Sequence, residues 1–163
     1  MWLGATVAAS FLVLIIFGVE IYRTAPPFPT KIVVSDGEVL YEGQDIKDGQ
    51  NVWQSMGGQT VGSIWGHGAY IAPDWNADYL HRETEMLLDL FAQKDGKTYK
   101  DLPEDEQAKY LVQLRKELRT NTYDATSGVI TFSPERAQVA RALADYYTKL
   151  FMDDPSMDHV RKS

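Results

Sequence analysis

Apolar and polar positions divide this chain unevenly. Met1 to Val19 holds 15 apolar residues in 19 positions and no charged side chain, and every charge falls after it. As a helix, Trp2 to Val19 would span roughly 28 Å at ~1.5 Å per residue, about one hydrocarbon thickness. A cleaved signal peptide would begin with a basic stretch, and none precedes this run. The sequence after it, Glu20-Ile21-Tyr22-Arg23, reads as an interfacial edge with an aromatic ring and a snorkelling base. The pattern predicts an uncleaved transmembrane helix over residues 1–22, in preference to a signal peptide or a buried core helix.

The rest of the chain alternates in shorter periods. Ala25-Pro26-Pro27-Phe28-Pro29 cannot continue a helix, so residues 23–30 read as a stiff linker. Two β-rich runs, Lys31–Val34 and Glu38–Tyr41, flank Asp36-Gly37 and predict a β-hairpin. Asp45 is placed to cap a short helix through Gln50-Asn51-Val52-Trp53-Gln54. Three longer helices follow. The first starts at Asp74, with Tyr79, Glu83, Met86/Leu87 and Leu90/Phe91 along it. The second starts at Asp101 as N-cap, with Pro103 in its first turn and an apolar face of Tyr110, Leu111, Leu114 and Leu118. The third starts at Ser133-Pro134-Glu135, with Val139, Leu143, Tyr146/Tyr147 and Leu150 facing inward. Gly128–Phe132 is a short extended lead-in to it. The fold class is mainly α: one membrane helix, then a helical domain over residues 31–163 with a small β-hairpin, large enough for its own core.

Composition narrows the chemistry. With 16 Lys+Arg against 23 Asp+Glu the formal charge is −7, which excludes a nucleic-acid partner drawn by bulk charge. The chain has no cysteine, so disulfides, zinc-thiolate sites, iron–sulfur clusters, thiol catalysis and covalent haem attachment are all excluded. The three histidines, His67, His81 and His159, show no metal-binding spacing. His81 and Glu85 stand one helical turn apart and read as a surface or packing pair rather than a shared site. The acids Glu104-Asp105-Glu106 suit the start of a helix. No phosphate-loop, dinucleotide or nucleophile-elbow spacing occurs among the glycines.

One segment stands apart. Residues 55–75 carry few charges, many glycines and the aromatics Trp65, Tyr70 and Trp75, with Trp53 just before. It reads as an ordered loop that packs or docks. His67 between two glycines is a turn residue or a point of close approach. Backbone carbonyls converging on a hard cation are the rival use of such a loop. Met56, Met86, Met152 and Met157 read as packing residues.

Asp45-Ile46, Gly49-Gln50-Asn51-Val52-Trp53-Gln54-Ser55-Met56-Gly57-Gly58-Gln59, Gly62 through Trp75 and Ala77-Asp78-Tyr79-Leu80-His81-Arg82-Glu83 resemble one family closely. It is the N-terminal part of the quinol-dependent nitric oxide reductases, single-chain relatives of the haem–copper oxidases. The order of parts (anchor helix, Pro-rich exit, soluble domain) agrees. The resemblance implies a cytochrome-c-like fold that has lost its haem. Laying the family's Gly-x-Gly-Ala-Tyr-x-Ala-Pro stretch on Gly66 to Pro73 puts Gly58 and Val61 at the cysteine positions of a CxxCH motif and Gly62 at its histidine.

The resemblance further implies that Gly68 and Tyr70 offer backbone carbonyls to a structural Ca²⁺, with the remaining ligands from a catalytic core, because carbonyls alone bind that ion poorly. Trp53, Trp65, His67, Tyr70 and Trp75 are then the docking residues. No cofactor is expected to be covalently bound in this segment and none of its residues is expected to be catalytic. For the full enzyme, the resemblance implies haem b, haem b3, a non-haem iron and Ca²⁺, and the reduction of nitric oxide to nitrous oxide by quinol. Its partners would be membrane lipid and an oxidase-like multi-helix core, in the same chain or a separate subunit. The family places the domain on the periplasmic or extracellular side. Arg23 and Lys31, counted alone by the positive-inside rule, would place it in the cytoplasm, and the resemblance outweighs two bases. The alternative function is a free-standing, single-pass binding or assembly protein.

Overall fold

A computed structural model describes residues 2–64, 73–152 and 154–158. Helix α1 runs Trp2–Thr24 with none of its side chains buried. It is long and apolar enough to cross a membrane. It continues two residues past the expected end, and the Thr24 hydroxyl donates to the Glu20 carbonyl at 2.8 Å across the last turn.

Strands β1 (Lys31–Val34) and β2 (Val39–Glu42) form the expected antiparallel hairpin around Asp36-Gly37. Asp36 tightens the turn by accepting the Glu38 N–H at 3.0 Å. Helix α2 (Gly43–Ser55) follows without a gap. Asp45 is not its N-cap. It sits two residues inside the helix and accepts the backbone N–H of Glu42 at 2.8 Å, the back-reaching half of a capping box. The join is tight. A Cβ on Gly43 would lie 2.6 Å from the Pro29 carbonyl oxygen, and the Gly43 N–H donates to Thr30 at 2.7 Å.

Helix α3 (Trp75–Lys94) starts where expected, because Asp74 accepts the Ala77 N–H at 3.0 Å as N-cap. It ends in a Schellman closure: Gly96 at φ +71 lets Lys97 N–H reach the Ala92 carbonyl and Gly96 N–H reach Gln93, both at 2.9 Å. Helix α4 (Glu104–Arg119) starts later than read from sequence. Asp101 belongs to a preceding 3-10 turn, Tyr99–Asp101, and Pro103, extended and without an N–H, holds the N-cap position. Helix α5 (Pro134–Phe151) has Ser133 as N-cap and Pro134 at its first position, as expected.

The sheet is larger than a hairpin. Residues Val129–Phe132, expected only as an extended lead-in, form a strand parallel to β1, with Lys31 opposite Val129 and Val34 opposite Phe132. A two-residue strand, Tyr123–Asp124, pairs antiparallel with it. Calling these β4 and β3, the strand order is β2-β1-β4-β3. The domain is thus mainly helical, with a small four-stranded sheet.

The core lies where α3 packs on α4 and α5: Leu87, Leu88, Phe91, Ala92, Tyr110, Leu114, Val139 and Leu143. Three positions correct the sequence reading. Leu111, placed on the apolar face of α4, is exposed, because one residue past Tyr110 is ~100° around the helix from the buried line. Met56 and Met152 are 79% and 75% exposed, so they pack no core, whereas Met157 is buried. Glu83, by contrast, is buried at 1%.

Candidate functional site

The described part of the glycine segment is held at both ends. Ser63 N–H donates to the Pro73 carbonyl at 2.8 Å, Trp75 N–H donates to Ser63 at 2.9 Å, and the Ser63 hydroxyl donates to Asp74 at 2.7 Å. Residues 65–72 between these clamps lie outside the described residues. Trp65, His67, Gly68 and Tyr70, the expected docking and Ca²⁺ positions, fall there.

Trp53 of α2 and Trp75 of α3 are brought together. Both indoles meet the Phe151 ring of α5 edge-on, with centroids at 6.0 and 5.2 Å. Tyr147 lies one turn earlier on α5, stacked between Phe151 at 6.3 Å and Tyr79 of α3 at 6.2 Å, and perpendicular to Trp75 at 6.3 Å. These rings, with Ile64 and Asn76, line an open cleft of about 290 Å³.

Glycine makes the arrangement fit. A Cβ on Gly58 would stand 2.3 Å from the Trp53 ring, and one on Gly62 would stand 1.9 Å from Trp75 Nε1. Neither position admits a side chain while the indoles stay where they are. On or beside the segments that carry these rings, Val52, Met56, Val61, Phe151 and Met152 are all exposed.

Two polar groups support this ring cluster from α3. Asp78 accepts Arg82 Nε at 2.8 Å and the Tyr147 hydroxyl at 2.7 Å. Burial pushes the Asp78 carboxyl up, but the hydrogen bonds from Arg82 and Tyr147 outweigh it and hold it below the ordinary aspartate value. Burial, and then the bond to Asp78, raises the Tyr147 hydroxyl well above the usual phenol range. Arg82 also lies 4.2 Å over the Tyr146 ring. One turn further on, Glu83 receives Arg136 Nε of α5 at 2.8 Å, and Arg136 stacks 4.3 Å over Phe132 at the end of β4. The second Glu83 oxygen has no hydrogen-bond partner among the described residues. This buried pair ties α3, α5 and the sheet together.

Of the surface and packing alternatives, His81 and Glu85 form a surface pair, 3.6 Å apart with side chains 70% and 48% accessible. Among the described residues no group of three or more His, Asp or Glu side chains is placed to hold a metal ion. Of the expected docking residues, Trp53 and Trp75 are the two described, and they meet on Phe151. Sequence reasoning took Tyr79 and Tyr147 only as inward positions of their helices, and it missed Phe151 and Asp78. The contacts of Asp78 with Tyr147 and of Phe151 with Trp53 and Trp75 cross long sequence separations that no local pattern marks.

A family model described as the NorB cytochrome c-like domain of nitric oxide reductase matches residues 29–163. No curated protein matches the chain.

Proposed function

Because the chain belongs to the family of NorB cytochrome c-like domains of nitric oxide reductase, we propose that it is the membrane-anchored, haem-less and non-catalytic part of a quinol-dependent nitric oxide reductase. The observation that carries the haem-less reading is the pair of indoles seated on Gly58 and Gly62. By resemblance these are a cysteine position and the histidine position of a haem-attachment motif. Here they offer neither thiol nor imidazole, and the rings leave their side chains no room. The residues do not fit a c-type haem. A domain without that haem does not relay electrons from a soluble cytochrome, which agrees with quinol as donor.

The exposed apolar side chains of Val52, Met56, Val61, Phe151 and Met152 support a docked domain. Its partner in this reading is the outer face of an oxidase-like membrane core, in the same chain or another, which carries haem b, haem b3 and the non-haem iron. Gly68 and Tyr70 would give carbonyls to a Ca²⁺ completed by that core. The soluble domain then lies on the periplasmic or extracellular side.

The test is purification of the protein in detergent from its native membrane. The expected preparation contains a multi-helix partner or continuation, b-type haem spectra and no c-type haem. A chain that emerges alone and colourless would instead favour the free-standing binding protein. Gly68 replaced by a bulky residue should lower the Ca²⁺ content of the assembled enzyme, and unchanged ion content would remove the carbonyl-ligand idea.

A further inference from the structure

The ring cluster is more than packing, because the Tyr147 hydroxyl is hydrogen-bonded to a carboxylate. We propose that Trp75, Tyr147 and Asp78 form a one-electron sink: a hole placed on the cleft indoles passes to Tyr147 while the phenolic proton moves to the Asp78 carboxylate.

The electron path is short. Trp75 and Tyr147 have centroids 6.3 Å apart, and Trp53 joins through Phe151, which both indoles touch. The direction follows from the protons. Trp75 Nε1 is buried without a hydrogen-bond partner among the described residues, so an oxidised Trp75 keeps its N–H proton and remains a strong oxidant. The Tyr147 hydroxyl donates to Asp78 at 2.7 Å, inside the range for direct proton transfer. A phenol that loses its electron and proton together avoids the high-energy phenol cation. Tyr146, only 5.2 Å from Tyr147, has a buried hydroxyl with no partner among the described residues and lacks this outlet. Arg82 keeps the carboxylate in place at 2.8 Å.

The step balances. Oxidised Trp75, the Tyr147 phenol and the Asp78 carboxylate become neutral Trp75, the Tyr147 phenoxyl radical and the Asp78 carboxylic acid. The O–H bond of Tyr147 breaks and an O–H bond on Asp78 forms. The oxidants this would take are small one-electron acceptors. Nitrogen dioxide, which nitric oxide yields with dioxygen, is one: it gains the electron and leaves as nitrite.

Pulse radiolysis of the full chain in detergent tests this, with azide radicals as the probe that oxidises indoles first. In the wild type, indolyl absorption should decay as tyrosyl absorption grows, at a rate independent of protein concentration and slower in D₂O. Tyr147→Phe keeps the stacked ring and should lose this phase. Asp78→Asn should lose the D₂O effect. Tyr146→Phe should retain both. Melting curves establish that each variant is folded. A Tyr147→Phe protein that converts like wild type, or equal losses in Tyr146→Phe and Tyr147→Phe, would overturn the proposal. So would a rate that rises with protein concentration.

Discussion

The absence of one atom on Gly62 decides where Trp75 lies. Gly62→Ala puts a methyl 1.9 Å from the indole nitrogen, so ring or backbone must move. Overpacking of this kind costs about 1–3 kcal/mol. The expected result is a lower melting temperature and a red-shifted tryptophan emission, read by calorimetry and fluorescence. A variant with wild-type values would place the indole elsewhere. Glu83 carries the opposite kind of constraint, a charge 1% exposed and held by one arginine. Glu83→Ala leaves Arg136 without its counter-ion between α3 and β4. Breaking a buried pair from one side typically costs about 3–5 kcal/mol. Because the pair itself is a weak net stabiliser, Glu83→Ala with Arg136→Met should recover part of the loss in a double-mutant cycle.

Among the elements, helices were the legible part of the sequence and strand partners were not. Asp74 and Ser133 announce α3 and α5 through side chains that bond three residues on. The hairpin declares itself in Asp36-Gly37. The pairing of β1 with β4 joins residues 98 apart, Lys31 and Val129, and no local signal reports which extended run a strand will find. The glycine segment was legible as unusual, but two of the rings that line the cleft, Tyr147 and Phe151, come from α5, read only as a helix with an apolar face. Helix faces can be tested against each other. Leu143→Ala, in the core between α5 and α3, should cost about 2–5 kcal/mol. Leu111→Ala on the exposed side of α4 should stay within about 0.5 kcal/mol by urea unfolding.

At the scale of the whole molecule, stability should show two limbs with pH. Asp78 has a depressed folded pKa, so its contribution is present above the ordinary aspartate value and is lost as pH falls through the folded one. Tyr147 and Tyr79 are shifted the other way. Their contribution is complete below the ordinary tyrosine value and is lost as pH rises through the folded values, about 12 for Tyr79, where burial is the main cause. Melting temperature should therefore hold a plateau between the two limbs, and Asp78→Asn should flatten the acid one. The exposed apolar side chains give a second whole-molecule outcome. Met56→Lys with Met152→Lys should leave the melting temperature within a degree or so, because both side chains are exposed, and weaken retention of a core partner on an affinity column.

The seam at Gly43 has a consequence for encounter rates. Thr30 is tied by its N–H to Gly128 at 2.8 Å, by its hydroxyl to Ser127 at 3.0 Å and by its carbonyl to Gly43 at 2.7 Å. Only residues 25–29 then separate α1 from a fixed point on the domain, a tether of at most ~22 Å from Thr24 to Thr30 at full extension. In the proposed reading, with α1 in a membrane, the cleft stays within that distance of the bilayer, and a core partner in the same membrane meets it without a search through bulk solution. A surface too weak to hold a freely diffusing partner would then suffice for one confined to the same membrane.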